Sequence, residues 1–157
     1  MVSNGVRHPF RPELETLDYE RLVSSPARMR QKHGVAIATW VFLPDHWHAI
    51  IYSPLPFTIP TVFEAVKVNS MIGINVRRSE RGELWQDRSF DRALRTVKEY
   101  NEGVESIHLN PVRRDLAGDT RDWKWSGVQE YAGVSGEEQE RRCSLRIDRV
   151  RLRYPAL

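Results

Sequence analysis

The chain has a single cysteine, Cys143. A disulfide framework is therefore excluded, and the lone thiol fits a reducing cytoplasm. No apolar run approaches the roughly 20 residues that a membrane span requires. The opening residues, from Met1 to Phe10, lack the apolar core of a signal peptide. No internal repeat is visible, and no shift in composition marks a domain boundary. Net charge is only +3, too small to make the whole molecule a polycation.

What is present argues for one folded domain over residues 1–157. Apolar residues make up 40% of the chain and five are tryptophan, which excludes an unfolded polar sequence. A core spanning about 35–133 is expected, followed by a basic tail at 137–157. The positive charge is clustered: Arg77 with Arg78, Arg113 with Arg114, Arg141 with Arg142, then Arg146, Arg149, Arg151 and Arg153. Clustered guanidinium suits phosphate oxygens, although a solvated basic surface reads the same way.

Residues 1–12 read as irregular, with Pro9 and Pro12. A helix is expected from Pro12 to about Lys32, broken or restarted near Pro26. Val35–Phe42 is β-branched and aromatic, hence a strand. The turn Leu43, Pro44, Asp45 leads to a second strand, His46–Tyr52, completing a hairpin. On that strand His46 and His48 share one face and Trp47 takes the other. Two imidazoles so placed suit one cation; two surface histidines are the plainer alternative.

A helix over 59–78 should bury Val62, Ala65, Val66, Asn69, Ile72, Gly73 and Val76, leaving Lys67, Arg77 and Arg78 for solvent or phosphate. Trp85 reads as an anchor after the loop at Gly82. A second long helix is expected from Arg92 to about Leu109, stopped by Asn110 and Pro111. Gly103 is awkward inside it and marks either a kink or a junction. Trp123 and Trp125 serve packing or base stacking. Residues 145–154 alternate in part, as a basic edge strand would.

Four stretches read together in order. They are Leu43 to His48 (LPDHWH), Gly82 to Arg92 (GELWQDRSFDR), Ile107 to Arg113 (IHLNPVR) and Asp122 to Ser126 (DWKWS). Together they resemble the single-tyrosine HUH transposases, most closely the REP-associated (IS200-like) branch. The resemblance implies an α+β, ferredoxin-like antiparallel sheet with two main helices on one face. It also implies a homodimer that cuts and rejoins single-stranded DNA, often beside a hairpin. His46 and His48 match the family's ligands for Mg²⁺ or Mn²⁺, and Asn110 matches the polar residue that helps complete the metal site. Lys67, Arg77, Arg78, Arg113 and Arg114 are the candidate DNA contacts.

Two departures accompany the resemblance. Ser106 stands where the family carries its nucleophilic tyrosine. A serine is shorter, harder to ionise and a poorer leaving group than a phenol. Tyr100 lies about 120° around the helix from Ser106 and is expected to pack. His108, nearly opposite Ser106, is expected to be structural. In addition, residues 1–12 do not read as the inner first strand of the family's sheet. Either that strand is missing, or the basic tail or a dimer partner takes its place.

Overall fold

The computed structural model describes residues 2–5, 13–87 and 89–130. The expected tail at 137–157 and its strand at 145–154 lie outside the described residues. The element order is β1 (Val2–Gly5), α1 (Thr16–His33), β2 (Ala36–Phe42), β3 (His46–Tyr52), α2 (Ile59–Arg78), β4 (Phe90–Asp91) and α3 (Val97–Arg113). The sheet order is β2-β3-β1-β4, with every paired neighbour antiparallel. This is the ferredoxin-like arrangement that the resemblance implies.

The first strand is present, contrary to the sequence reading. β1 pairs with β3 from Val2 opposite Ala49 to Gly5 opposite His46, and with β4 on its other edge. Its four residues, Val-Ser-Asn-Gly, have little strand propensity of their own. Pairing on both sides supplies the hydrogen bonds that local sequence does not advertise.

Helices α1 and α2 cover one face of the sheet. There Tyr19 and Leu22 of α1 and Val62, Phe63 and Val66 of α2 meet Ile37, Phe42, Trp47 and Ala49. Helix α1 begins at Thr16, and Asp18 accepts a hydrogen bond from the Glu15 amide at 2.9 Å, as an N-terminal cap. It passes through Pro26 without a break. Helix α2 has the expected bounds, starting from the cap Thr58. Its buried stripe is Val62, Phe63, Val66, Ser70 and Ile74, whereas Ile72 and Val76 are exposed. The serine disguised this stripe: Ser70 donates to the Val66 carbonyl at 2.7 Å and accepts the indole of buried Trp85 at 3.0 Å.

Helix α3 crosses the opposite face, where Tyr100, Val104 and Ile107 pack on Val41, Leu43 and Ile50. It starts at Val97, later than expected, because Thr96 caps it by accepting the Glu99 amide. It does not stop at Asn110 but runs through Pro111 to Arg113. The proline lies in the last turn, so its missing donor removes one intrahelical hydrogen bond and only two residues of helix follow it. A Schellman closure then ends the helix: Leu116 N–H bonds the Pro111 carbonyl and Asp115, at φ 55°, bonds that of Val112. Gly103 marks neither kink nor junction. It lets α3 approach β3 closely, since a Cβ there would lie 3.3 Å from Ile50 Cδ1.

Trp123 and Trp125 serve packing. The Trp123 indole donates to the Phe42 carbonyl at 2.9 Å, and the Trp125 ring stacks on Tyr19 at 5.1 Å. Their segment runs beside β2, with Phe42 N–H bonding the Trp125 carbonyl, and so blunts that sheet edge.

Candidate metal and nucleic-acid site

His46 and His48 project from β3 on the α3 side of the sheet. Their ring centroids are 4.9 Å apart and nearly perpendicular. Trp47 faces the other way and stacks on Phe63 at 4.9 Å. Trp47 is 1% exposed, which fixes the strand's register and hence the direction of both imidazoles.

A carboxylate not expected from the sequence orients the first of them. Asp45 Oδ1 lies 2.5 Å from His46 Nδ1. Burial alone would raise the Asp45 carboxyl, but the His46 hydrogen bond, with the His46 and Arg114 charges, holds it below the usual carboxylate range. An ionised Asp45 can only accept, so His46 donates to it through Nδ1, which turns Nε2 away from the carboxylate. His48 is pushed down to about 4 by burial first, then by the nearby His46 and Arg114 charges. It is therefore neutral at neutral pH, with a lone pair to donate. Asp45 read as a turn residue; its place one residue before a strand histidine was the available signal.

Helix α3 is registered against this strand at two points. Gly103 meets Ile50, and Arg114 Nη1 reaches both Asp45 oxygens at 3.3 Å. The helix span between Gly103 and Arg114 and the strand span between Ile50 and Asp45 each come to about 16 Å. Asn110 therefore comes level with the His46–His48 stretch, and Ser106 level with His48. Both project from one flank of α3, given about 100° per residue. The opposite flank carries His108, whose Nε2 lies 2.7 Å from Thr39 Oγ1 of β2. Burial pushes His108 down to about 4, so it is a neutral structural group.

Ser106 Oγ accepts a hydrogen bond from Arg113 Nη1 at 3.4 Å. Arg113 and Arg114 thus border the histidine face from the end of α3. Tyr100 is buried against the sheet, as expected.

The basic residues of α2 are elsewhere, a correction to the sequence reading. Arg77 and Arg78 lie on the other side of the sheet and are engaged with Asp18 of α1. Arg77 Nε bonds Asp18 Oδ1 at 2.9 Å, and Arg77 Nη2 bonds Glu15 Oε2 at 3.0 Å. Arg78 pairs with Asp18 Oδ2 and donates to the Glu13 carbonyl at 2.9 Å. Lys67 pairs with Glu64 at 2.9 Å on the same helix. These contacts tie helices together and leave the guanidinium groups little freedom to meet phosphate.

The chain is thus an α+β protein with a histidine pair on one sheet face and a helix laid across it. No family model matches the chain. It is 25% identical over 123 residues to the REP-associated tyrosine transposase of Escherichia coli (strain K12), across 74% of this chain and 68% of that one. It also superposes on the solved structure of a REP-associated tyrosine transposase bound to a REP hairpin. The TM-score is 0.73 at 23% identity, covering 87% of this chain and 81% of the other. The chain is therefore similar in sequence to one REP-associated tyrosine transposase and in fold to another.

Among the described residues no helix is long and apolar enough to cross a membrane. Nor do three or more His, Cys, Asp or Glu side chains gather there as a closed metal cage.

Proposed function

We propose that this protein is a transposase-like binder of single-stranded or hairpin DNA, with a divalent cation held at His46 and His48. The observation that carries it is the chain of contacts from Arg114 through Asp45 to His46. These contacts fasten the end of α3 to the start of β3. They support reading Asn110 as the third ligand, with Arg113 and Arg114 at the rim.

The donor set fits Mg²⁺ or Mn²⁺, with Mn²⁺ the better match. Two imidazoles and one amide oxygen leave coordination positions open for water and phosphate oxygens. A cation bound there would polarise a DNA phosphate and offset charge developing on it. The chain's own residues do the rest. Asp45 fixes the His46 tautomer, Asn110 supplies the amide oxygen, and Arg113 and Arg114 draw in the strand without reading its sequence.

Replacing Asp45 with alanine should weaken Mn²⁺ binding about 10–100-fold, the usual cost of losing a carboxylate behind a metal-bound histidine. Electron paramagnetic resonance of free Mn²⁺ reads this directly, and unchanged affinity would remove Asp45 from the site. For DNA, affinity should fall steeply with salt. Replacing Arg113 and Arg114 by alanine should lower the slope of log K against log salt by roughly one per arginine. Fluorescence anisotropy with a labelled hairpin measures both quantities. Salt-independent binding would exclude a phosphate-directed mode. The same reading takes in the homodimer and the cytoplasmic location that the family likeness implies; sedimentation velocity tests the first.

A further inference from the structure

Directly opposed residues of an antiparallel pair share a face of the sheet. His48 opposes Ser3 of β1, and Ser3 opposes Phe90 of β4. Phe90 therefore belongs to the histidine face, two strand spacings or about 10 Å from His48. On the β2 side the same row continues to Val41, which α3 covers. At the other end of the row, on β4, Phe90 is 60% exposed. The other residue of β4, the acidic Asp91, pairs with Val2 in the row of Ala49 and so lies on the opposite face. Exposed Arg92 and Arg95 follow directly, while Arg113 and Arg114 border the histidines from the other side. An exposed aromatic on the metal-site face, with basic residues on both flanks, is the composition that holds unpaired nucleotides.

We propose that Phe90 is a stacking platform for an unpaired base of the DNA strand whose phosphate lies at the histidine pair. The assignment rests on the DNA-binding reading above and deepens it. Stacking is indifferent to base identity, because every base has a π-face. Phe90 thus adds affinity for single-stranded DNA without specifying sequence.

The test compares Phe90→Ala, Phe90→Leu and Phe90→Trp with the wild type. The probes are labelled oligothymidylate and a blunt DNA hairpin, in low salt with Mn²⁺. Phe90→Ala and Phe90→Leu should bind oligothymidylate about tenfold more weakly, about 1.4 kcal/mol. Phe90→Trp should bind it as the wild type does. Binding to the blunt hairpin, the salt slope and the melting temperature should not change, because an exposed, uncharged side chain is all that is altered. Undiminished oligothymidylate binding by the alanine and leucine variants overturns the assignment. So does an equal loss on the blunt hairpin. A wild type that binds neither probe sinks the DNA reading and Phe90 with it, whereas a binding wild type with indifferent variants sinks Phe90 alone.

Discussion

Asp18→Ala should lower the stability of the protein by about 3–5 kcal/mol. Asp18 is fully buried, and the Arg78 side chain is only 5% exposed. Removing one partner of a buried ion pair costs about 3–5 kcal/mol, because the remaining charge has nothing to compensate it. That is a large share of the 5–15 kcal/mol typical of a domain. Two arginines depend on this one carboxylate, and the cap it gives to the Glu15 amide is lost as well. Urea denaturation followed by circular dichroism gives the difference; a loss under about 1 kcal/mol would show that the cluster is solvated.

The same group sets a pH dependence. Burial alone would raise the Asp18 carboxyl. Hydrogen bonds from Arg78, the Glu15 amide and Arg77 more than offset this and hold it below its ordinary value of 3.8. A carboxyl depressed in the folded state contributes stability that is fully present above the unfolded value. That stability is lost as pH falls through the folded one. The urea midpoint of the wild type should therefore drop below about pH 4. The Asp18→Asn variant should lose that part of the dependence.

Ser106→Tyr should make the protein form a covalent adduct with single-stranded hairpin DNA in Mn²⁺, where the wild type gives none detectable. The reasoning is geometric and chemical. Position 106 is half-buried on the same α3 flank as Asn110 and level with His48. A phenol extends several ångströms further than a hydroxymethyl group. It also ionises near pH 10, far more readily than serine, and departs more easily in rejoining. Among the described residues Ser106 Oγ meets the guanidinium of Arg113, a donor that cannot act as a base. Denaturing gel electrophoresis with labelled DNA shows the adduct as a shifted band. A variant that binds DNA but stays uncoupled would mean that the flank and the histidines are not aligned for attack.

The local features were legible. The hairpin of β2 and β3, the shared face of His46 and His48, the inward Trp47 and the bounds of α2 follow from alternation and capping within a few residues. The illegible parts depend on distant segments. β1 is a strand because β3 and β4 flank it, not because Val-Ser-Asn-Gly prefers extension. Arg77 and Arg78 looked like phosphate ligands until Asp18, some 60 residues away, was found between them. The buried stripe of α2 was misjudged because Ser70 is polar, and only the Trp85 indole explains its burial. Pro111 was read as a stop because the rule for the residue before proline is local, while Gly103 and His108 hold that helix down from the sheet.

The placement of β1 has a consequence for the order in which the molecule assembles. The hairpin bearing the histidines closes a turn of three residues and can zip early. The strip beside it forms only when residues 2–5 meet residues 90 and 91, closing a loop of more than 80 residues. Such closure is entropically slow and follows local pairing. The newly made chain therefore acquires its two imidazoles in register well before the surface bordering them exists.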